Sequence, residues 1–290
     1  MAVETRARQD VREVNGGEAR WLPPPVEVDR DDALQTLGQQ AGAFARLVEG
    51  ISSPDQPTNA LKWTLAETAG HVLSVVRYDT RCVRCEETPR LVDDVLTAGS
   101  AQNEELMARE PERDPRKLAG LLREAVDTFI QEATSRSPDD PAYFRTGFGT
   151  TVTTATCMLI CEFLIHGYDI ATTLDVPWDL DRHAAELSVY GTAATMPLAV
   201  NPTTTAGVRA LVQVRVRGGA SFAVRIDDGY VTTEPAGARA DLYTSVNPVT
   251  YLMLGFGRFS PLKAFATGGL LGWGRRPALA FKLPTFFKTP

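Results

Sequence analysis

The chain has 290 residues, of which 43% are hydrophobic and 23% charged, with a formal net charge of -6. A length beyond the usual ~100–200 residues of one domain predicts two domains, and a composition near globular averages excludes wholesale disorder. With no block of clustered Lys or Arg, nucleic acid and anionic membranes are not expected partners, and a small molecule is.

Residues 1–28 are polar, contain Gly16 and Gly17 and include Pro23-Pro24-Pro25, which predicts a flexible N-terminal arm. The arm carries charges from Glu4 to Glu13 and lacks the apolar core of a secretory signal, so a cytoplasmic location is expected. From Asp29, the spacing of Leu34, Leu37, Ala41, Phe44, Ala45 and Val48 follows one helical face, and Gly50 stops it. Pro54, Pro57 and Asn59 make a loop. Leu65 to about Glu87 then reads as a long helix, with Thr64 as N-cap and Glu67 completing a capping box.

A shorter helix is expected from about Ala101 to Arg109, and Leu118, Leu121, Leu122, Val126, Phe129 and Ile130 mark another amphipathic one that Ser137-Pro138 closes. Thr151 to about Leu174 is the most apolar helix and is expected at the centre; its strongest run, Cys157 to Ile165, is too short to span a bilayer. Four long helices with modest loops predict an antiparallel bundle over residues 29–182.

The pattern changes in 183–290. After one more helix to about Ala194, alternating runs at Val208–Arg217, Ser221–Asp227, Tyr230–Glu234 and Ala240–Ser245 are punctuated by the hairpin signals Gly218-Gly219 and Asp228-Gly229. An antiparallel sheet packed with helices is predicted, with a last strand around Leu279 to Leu283. The fold class is α+β.

Glu162 and His166, four residues apart, project from one face of the most apolar helix, where an unpaired carboxylate is costly. A cation would remove that cost. His71 stands on a separate helix in an equally apolar setting, and bundle packing can bring it opposite the pair. Two histidines and one carboxylate leave open positions on zinc, nickel or iron. The plain alternative is a hydrogen-bonded Glu–His pair. His183 follows Asp181-Arg182 in a polar segment and reads as a surface residue.

Trp63-Thr64 with Glu67 and His71, followed by the run Glu162-Phe163-Leu164-Ile165-His166-Gly167-Tyr168-Asp169, resembles the DinB-like metal-binding bundle of the mycothiol-dependent maleylpyruvate isomerase family. The stretch from Ala240-Asp241 through Asn247-Pro248, Phe259-Ser260-Pro261 and Gly268-Gly269-Leu270 to Leu283 resembles sterol carrier protein type 2 domains, which some members of that family carry. The resemblance implies a divalent metal, zinc foremost, on His71, Glu162 and His166, and a low-molecular-weight thiol, mycothiol, as cosubstrate of an isomerase or S-transferase acting on a small electrophile. The excess of Arg over Lys hints at a GC-rich genome of the kind in which mycothiol is expected.

The family also holds substrate carboxylates with arginines. Arg84 and Arg239 are the candidates, with Arg81 beside Arg84, although a lone arginine is more often a solvated or structural charge. Asp169, one turn past His166, is a candidate for orienting it or for a helix-end hydrogen bond. Cys82 and Cys85 form a C-x-x-C late in a helix rather than at its N-terminus, and Cys157 and Cys161 share a face; packing explains all four, as reduced thiols. Two other functions fit the same residues: a non-catalytic binding protein whose tail aromatics, such as Phe259, Phe265 and Trp273, line a lipid site, and a metal-dependent hydrolase.

Overall fold

The computed structural model describes residues 10–237 and 239–288. The chain divides into two compact units, Val28–Leu180 with the residues up to Pro23, and Asp181–Pro290 with Pro24–Glu27.

In the first unit, α1 (Arg30–Glu49) is capped by Asp29, whose side chain accepts from Asp32 N, and α2 (Leu65–Val83) by the complete Thr64/Glu67 capping box. α3 (Val95–Ala108), capped by Asp94, begins six residues before the start expected at about Ala101. α4 (Pro115–Thr134) has Asp114 as cap and Pro115 in its first turn. α5 (Val152–Leu174), capped by Thr151, packs against α1, α2 and α4. Its burial explains its composition. Phe44 of α1 meets Phe163 of α5 edge to face at 5.5 Å, both fully buried, and each such ring contributes about 1.5–3 kcal/mol by leaving water.

Three details of this unit depart from the sequence reading. Residues 11–21 belong to no flexible arm: β1 (Val11–Val14) and β2 (Gly17–Trp21) form a hairpin in a four-stranded sheet, ordered β1-β2-β4-β3 with β3 (Pro141–Phe144) and β4 (Phe148–Thr151). Residues 1–9 of the expected arm lie outside the described residues. α2 ends at Val83 rather than Glu87, because Cys85 turns to φ +57° after the Arg84 C-cap. α5 runs Val152–Leu174 as expected, but whereas the run Cys157 to Ile165 was expected to be too short, the whole 23-residue helix is long and apolar enough by length and composition to cross a membrane, with most of its apolar window buried.

The second unit opens with α6 (Arg182–Thr195) and a single turn, α7 (Pro202–Thr205). Strands β5 (Arg209–Val216), β6 (Ser221–Asp227), β7 (Tyr230–Pro235), β8 (Leu242–Val246) and β9 (Leu270–Gly274) make one sheet in the order β7-β6-β5-β8-β9. The two hairpins run antiparallel as their turn residues require, and β8 returns to lie parallel to β5, so the sheet is mixed rather than purely antiparallel. Helices α8 (Pro248–Gly255) and α9 (Pro261–Ala266) separate β8 from β9. Leu279–Lys282, expected as the last strand, is helical (α10); the strand is β9, nine residues earlier. An apolar run of four residues carries no period that separates the two.

Candidate metal centre

The capping box that starts α2 fixes the phase of that helix, which places His71 in its second turn with its side chain 3% exposed. On α5, Glu162 and His166 are one turn apart, with side chains 30% and 11% exposed. The structure brings the three together: one ligand atom from each lies within 4.8 Å of the others. Glu162 Oε2 is 3.6 Å from His71 Nε2 and 3.3 Å from His166 Nε2. The imidazoles meet edge to face at 5.0 Å. On its far side His166 Nδ1 faces the fully buried Asp169 at 3.3 Å, a turn later on α5.

Burial alone would raise the Glu162 carboxyl, but hydrogen bonding to His166 and His71 outweighs it and holds the group well below the usual carboxylate range. His166 is opposed by burial and favoured by Asp169 and Glu162, which together push it up to about 9. His71 moves the other way, because burial disfavours its charged form and His166 adds to that, against the pull of Glu162. One imidazolium and one carboxylate therefore share the pocket with a neutral imidazole. That is a donor set ready to exchange a proton for a cation.

Two donors held about 2.0–2.1 Å from a tetrahedral ion stand about 3.4 Å apart, which matches both distances from Glu162 to the histidines. Two imidazoles and a carboxylate suit zinc and leave a fourth position for another ligand. The residues present fit a divalent ion.

Trp63, the first residue of the motif that resembles the isomerase family, is a neighbour of both imidazoles. Its ring centroid is 4.6 Å from that of His71 and 6.5 Å from that of His166. Trp178 was missed. Its indole packs on α5 where Gly167 leaves room, and its Nε1 donates to Leu164 O at 3.2 Å. A glycine inside so apolar a helix was the available signal. Asp79, also unremarked, is a buried carboxyl two turns past His71 on α2, pushed well up by burial and then by the charge of Glu162.

The arginines of α2 fall elsewhere. Arg84 is the C-cap of α2, 13 residues past His71 and so about 20 Å along the helix axis, where its guanidinium pairs with Glu132 at 2.6 Å. The structure does not bring it to the histidines. Arg81 pairs with Glu87. Arg239 is exposed in the second unit, as is His183. Burial pushes the thiol of Cys157 up to about 12 and that of Cys82 well up, so neither supplies a thiolate at neutral pH.

Residues 37–171 match the family model described as mycothiol maleylpyruvate isomerase N-terminal domain. No curated protein matches the chain. Among solved structures, a mycothiol-dependent maleylpyruvate isomerase aligns over 84% of this chain and 93% of its own, at 15% identity and a TM-score of 0.48. A histidine-to-alanine mutant of that enzyme aligns over the same shares at 14% and 0.48. A stereoselective inverting sec-alkylsulfatase from Pseudomonas sp. aligns over 74% of this chain and 32% of its own, at 13% and 0.32. The family match stops at residue 171, so the likeness of the second unit to sterol carrier domains rests on the sequence alone. What the family model shows is that the first unit, through α1, α2, α4 and α5, resembles the mycothiol maleylpyruvate isomerase N-terminal domain.

Proposed function

We propose that this protein is a metal-dependent isomerase or S-transferase in which His71, Glu162 and His166 hold one divalent ion, zinc foremost, and a low-molecular-weight thiol, mycothiol, is the cosubstrate for a small electrophile. The observation that carries the reading is the spacing of the three ligand atoms, 3.3 and 3.6 Å about one carboxylate oxygen in an apolar pocket. A family named for mycothiol and maleylpyruvate supports the thiol and the class of reaction. A bound ion lowers the pKa of a thiol that reaches its open position, which makes the nucleophilic thiolate available near neutral pH.

The chain supplies the rest. Asp169 orients His166 from behind, and the ionised, half-buried Glu162 balances the charge of the ion. Val72, Leu159, Phe163 and Ile165, next to the donors in sequence or a turn away, are buried and make the two helices apolar around them. For a substrate carboxylate, Arg239 is the arginine we propose, and the second unit is proposed to be a sterol-carrier-type domain.

Metal analysis of the purified chain tests this. We expect one zinc per chain, loss of that metal in His166→Ala, and isomerisation or S-conjugation of unsaturated acids only when thiol is added. A wild type without metal, or a variant that keeps it, overturns the reading. Turnover without thiol assigns the site to hydrolysis instead.

A further inference from the structure

A neutral imidazole that offers Nε2 to an ion carries its proton on Nδ1, and ligating histidines ordinarily hand that proton to an oxygen that fixes the ring. Both Nδ1 atoms are buried without a hydrogen bond that meets ordinary geometry among the described residues, but only that of His166 has a carboxylate beside it. His166 Nδ1 has Asp169 Oδ2 at 3.3 Å. His71 Nδ1 is buried and has no hydrogen-bond partner among the described residues. The orientation of the His71 ring therefore has no polar anchor on its outer side, although its Nε2 points at Glu162.

What the ring does touch is an indole. Trp63 lies against His71 with centroids 4.6 Å apart and planes 36° apart, at the close end of the range in which aromatic rings attract. The indole is held from its own backbone. Trp63 O accepts from both Thr58 N at 3.0 Å and Thr58 Oγ1 at 2.9 Å, Pro57 and Thr64 form a bridge across the turn, and Thr64 is locked by the capping box. The same short motif thus sets the phase of α2 and the position of the ring that covers its histidine.

We propose that Trp63 is the positioning residue for His71, its indole, tilted against the imidazole, taking the place of an Nδ1–H···O hydrogen bond and holding Nε2 toward Glu162. The proposal rests on the metal reading above. Coordination draws electron density from the imidazole, and an indole face attracts a ring that becomes more positive. This ring contact is therefore stronger with metal bound than without it, and Trp63 contributes to metal affinity beyond what it contributes to the fold.

The test compares Trp63→Leu, which removes the π face, with Trp63→Phe, which keeps one. Zinc affinity of the full chain is measured by chelator competition, and cobalt(II) is used as a visible probe of the ligand field. We expect Trp63→Leu to bind zinc about 10–100-fold more weakly with an altered cobalt spectrum, and Trp63→Phe to restore most of the affinity and the wild-type spectrum. Cobalt(II) should also quench part of the wild-type indole emission, and that part should be missing in Trp63→Phe. The quenching readout stands even where Trp63→Leu fails to fold. Affinity and spectrum unchanged in Trp63→Leu, or no quenching in the wild type, overturn the proposal while the metal site stands. A wild type that binds neither ion overturns both.

Discussion

Gly167→Ala changes one hydrogen for a methyl next to His166, and its sign separates packing from helix propensity. An alanine Cβ at this position would lie 2.1 Å from Trp178 Cζ2, 2.4 Å from Cε2 and 2.8 Å from Cη2. Ordinary carbon contacts need about 3.5–4.0 Å, so the indole must withdraw by well over 1 Å. Doing so breaks the bond from Trp178 Nε1 to Leu164 O, about 0.5–1.5 kcal/mol, and strains a packed surface by about 1–3 kcal/mol. Against this, alanine in a helix interior gains about 0.5–1 kcal/mol over glycine. The net effect is a loss of about 1–3 kcal/mol, or about 2–12 °C in Tm for a unit of this size. Urea unfolding of metal-free protein is the assay, with the midpoint lowered and the slope unchanged. In a Trp178→Ala background the clash is gone, and Gly167→Ala should then stabilise by about 0.5–1 kcal/mol. Equal effects in the two backgrounds would refute the contact between Gly167 and Trp178 as the reason for this glycine.

Three further outcomes follow from the same geometry. Asp79 has a carboxyl raised well above its ordinary 3.8, mainly by burial, so the folded chain keeps a proton that the unfolded chain releases. Stability of the metal-free protein should fall as pH rises through this window, and Asp79→Asn should flatten that slope and stabilise most at the higher pH, as read by urea midpoints from pH 5 to 8. His166, pushed up to about 9, is protonated at pH 7, so metal uptake there should release about one proton and zinc affinity should rise about tenfold per pH unit up to that pKa; calorimetry in buffers of different ionisation enthalpy would expose a pH-independent affinity, which contradicts the assignment. Thr64→Ala removes the hydroxyl that accepts from Glu67 N at 3.2 Å and should cost about 1 kcal/mol, measured by thermal unfolding; no change would mean that the Thr58–Trp63 turn alone fixes the start of α2.

The helices of the first unit and the Glu162/His166 pair could be read from the chain because each depends on local rules, such as apolar periodicity, the Thr64 capping box and a four-residue spacing on one apolar helix. The meeting of His71 with that pair is long-range and came from the family resemblance. What escaped depends on residues far apart. The N-terminal hairpin looks like a polar tail until β2 pairs with β4, and Gly17 is required because a Cβ there would stand 1.9 Å from Pro89 O. The parallel pairing of β5 and β8 has no turn residue to announce it. Trp178 and Asp79 went without a reading, since no spacing rule tells which side chains α5 and α2 cover.

The β2–β4 pairing also sets an order in time. Thr150 Oγ1 donates to Leu22 O across 128 residues of chain, and a ribosome adding about 5–20 residues per second needs roughly 6–26 s to make that stretch. For that interval β1 and β2 have a hairpin but no sheet, with one edge open to any other strand. Charges at Glu13, Glu18 and Arg20 lie in or beside these strands, and they discourage such pairing until β4 emerges.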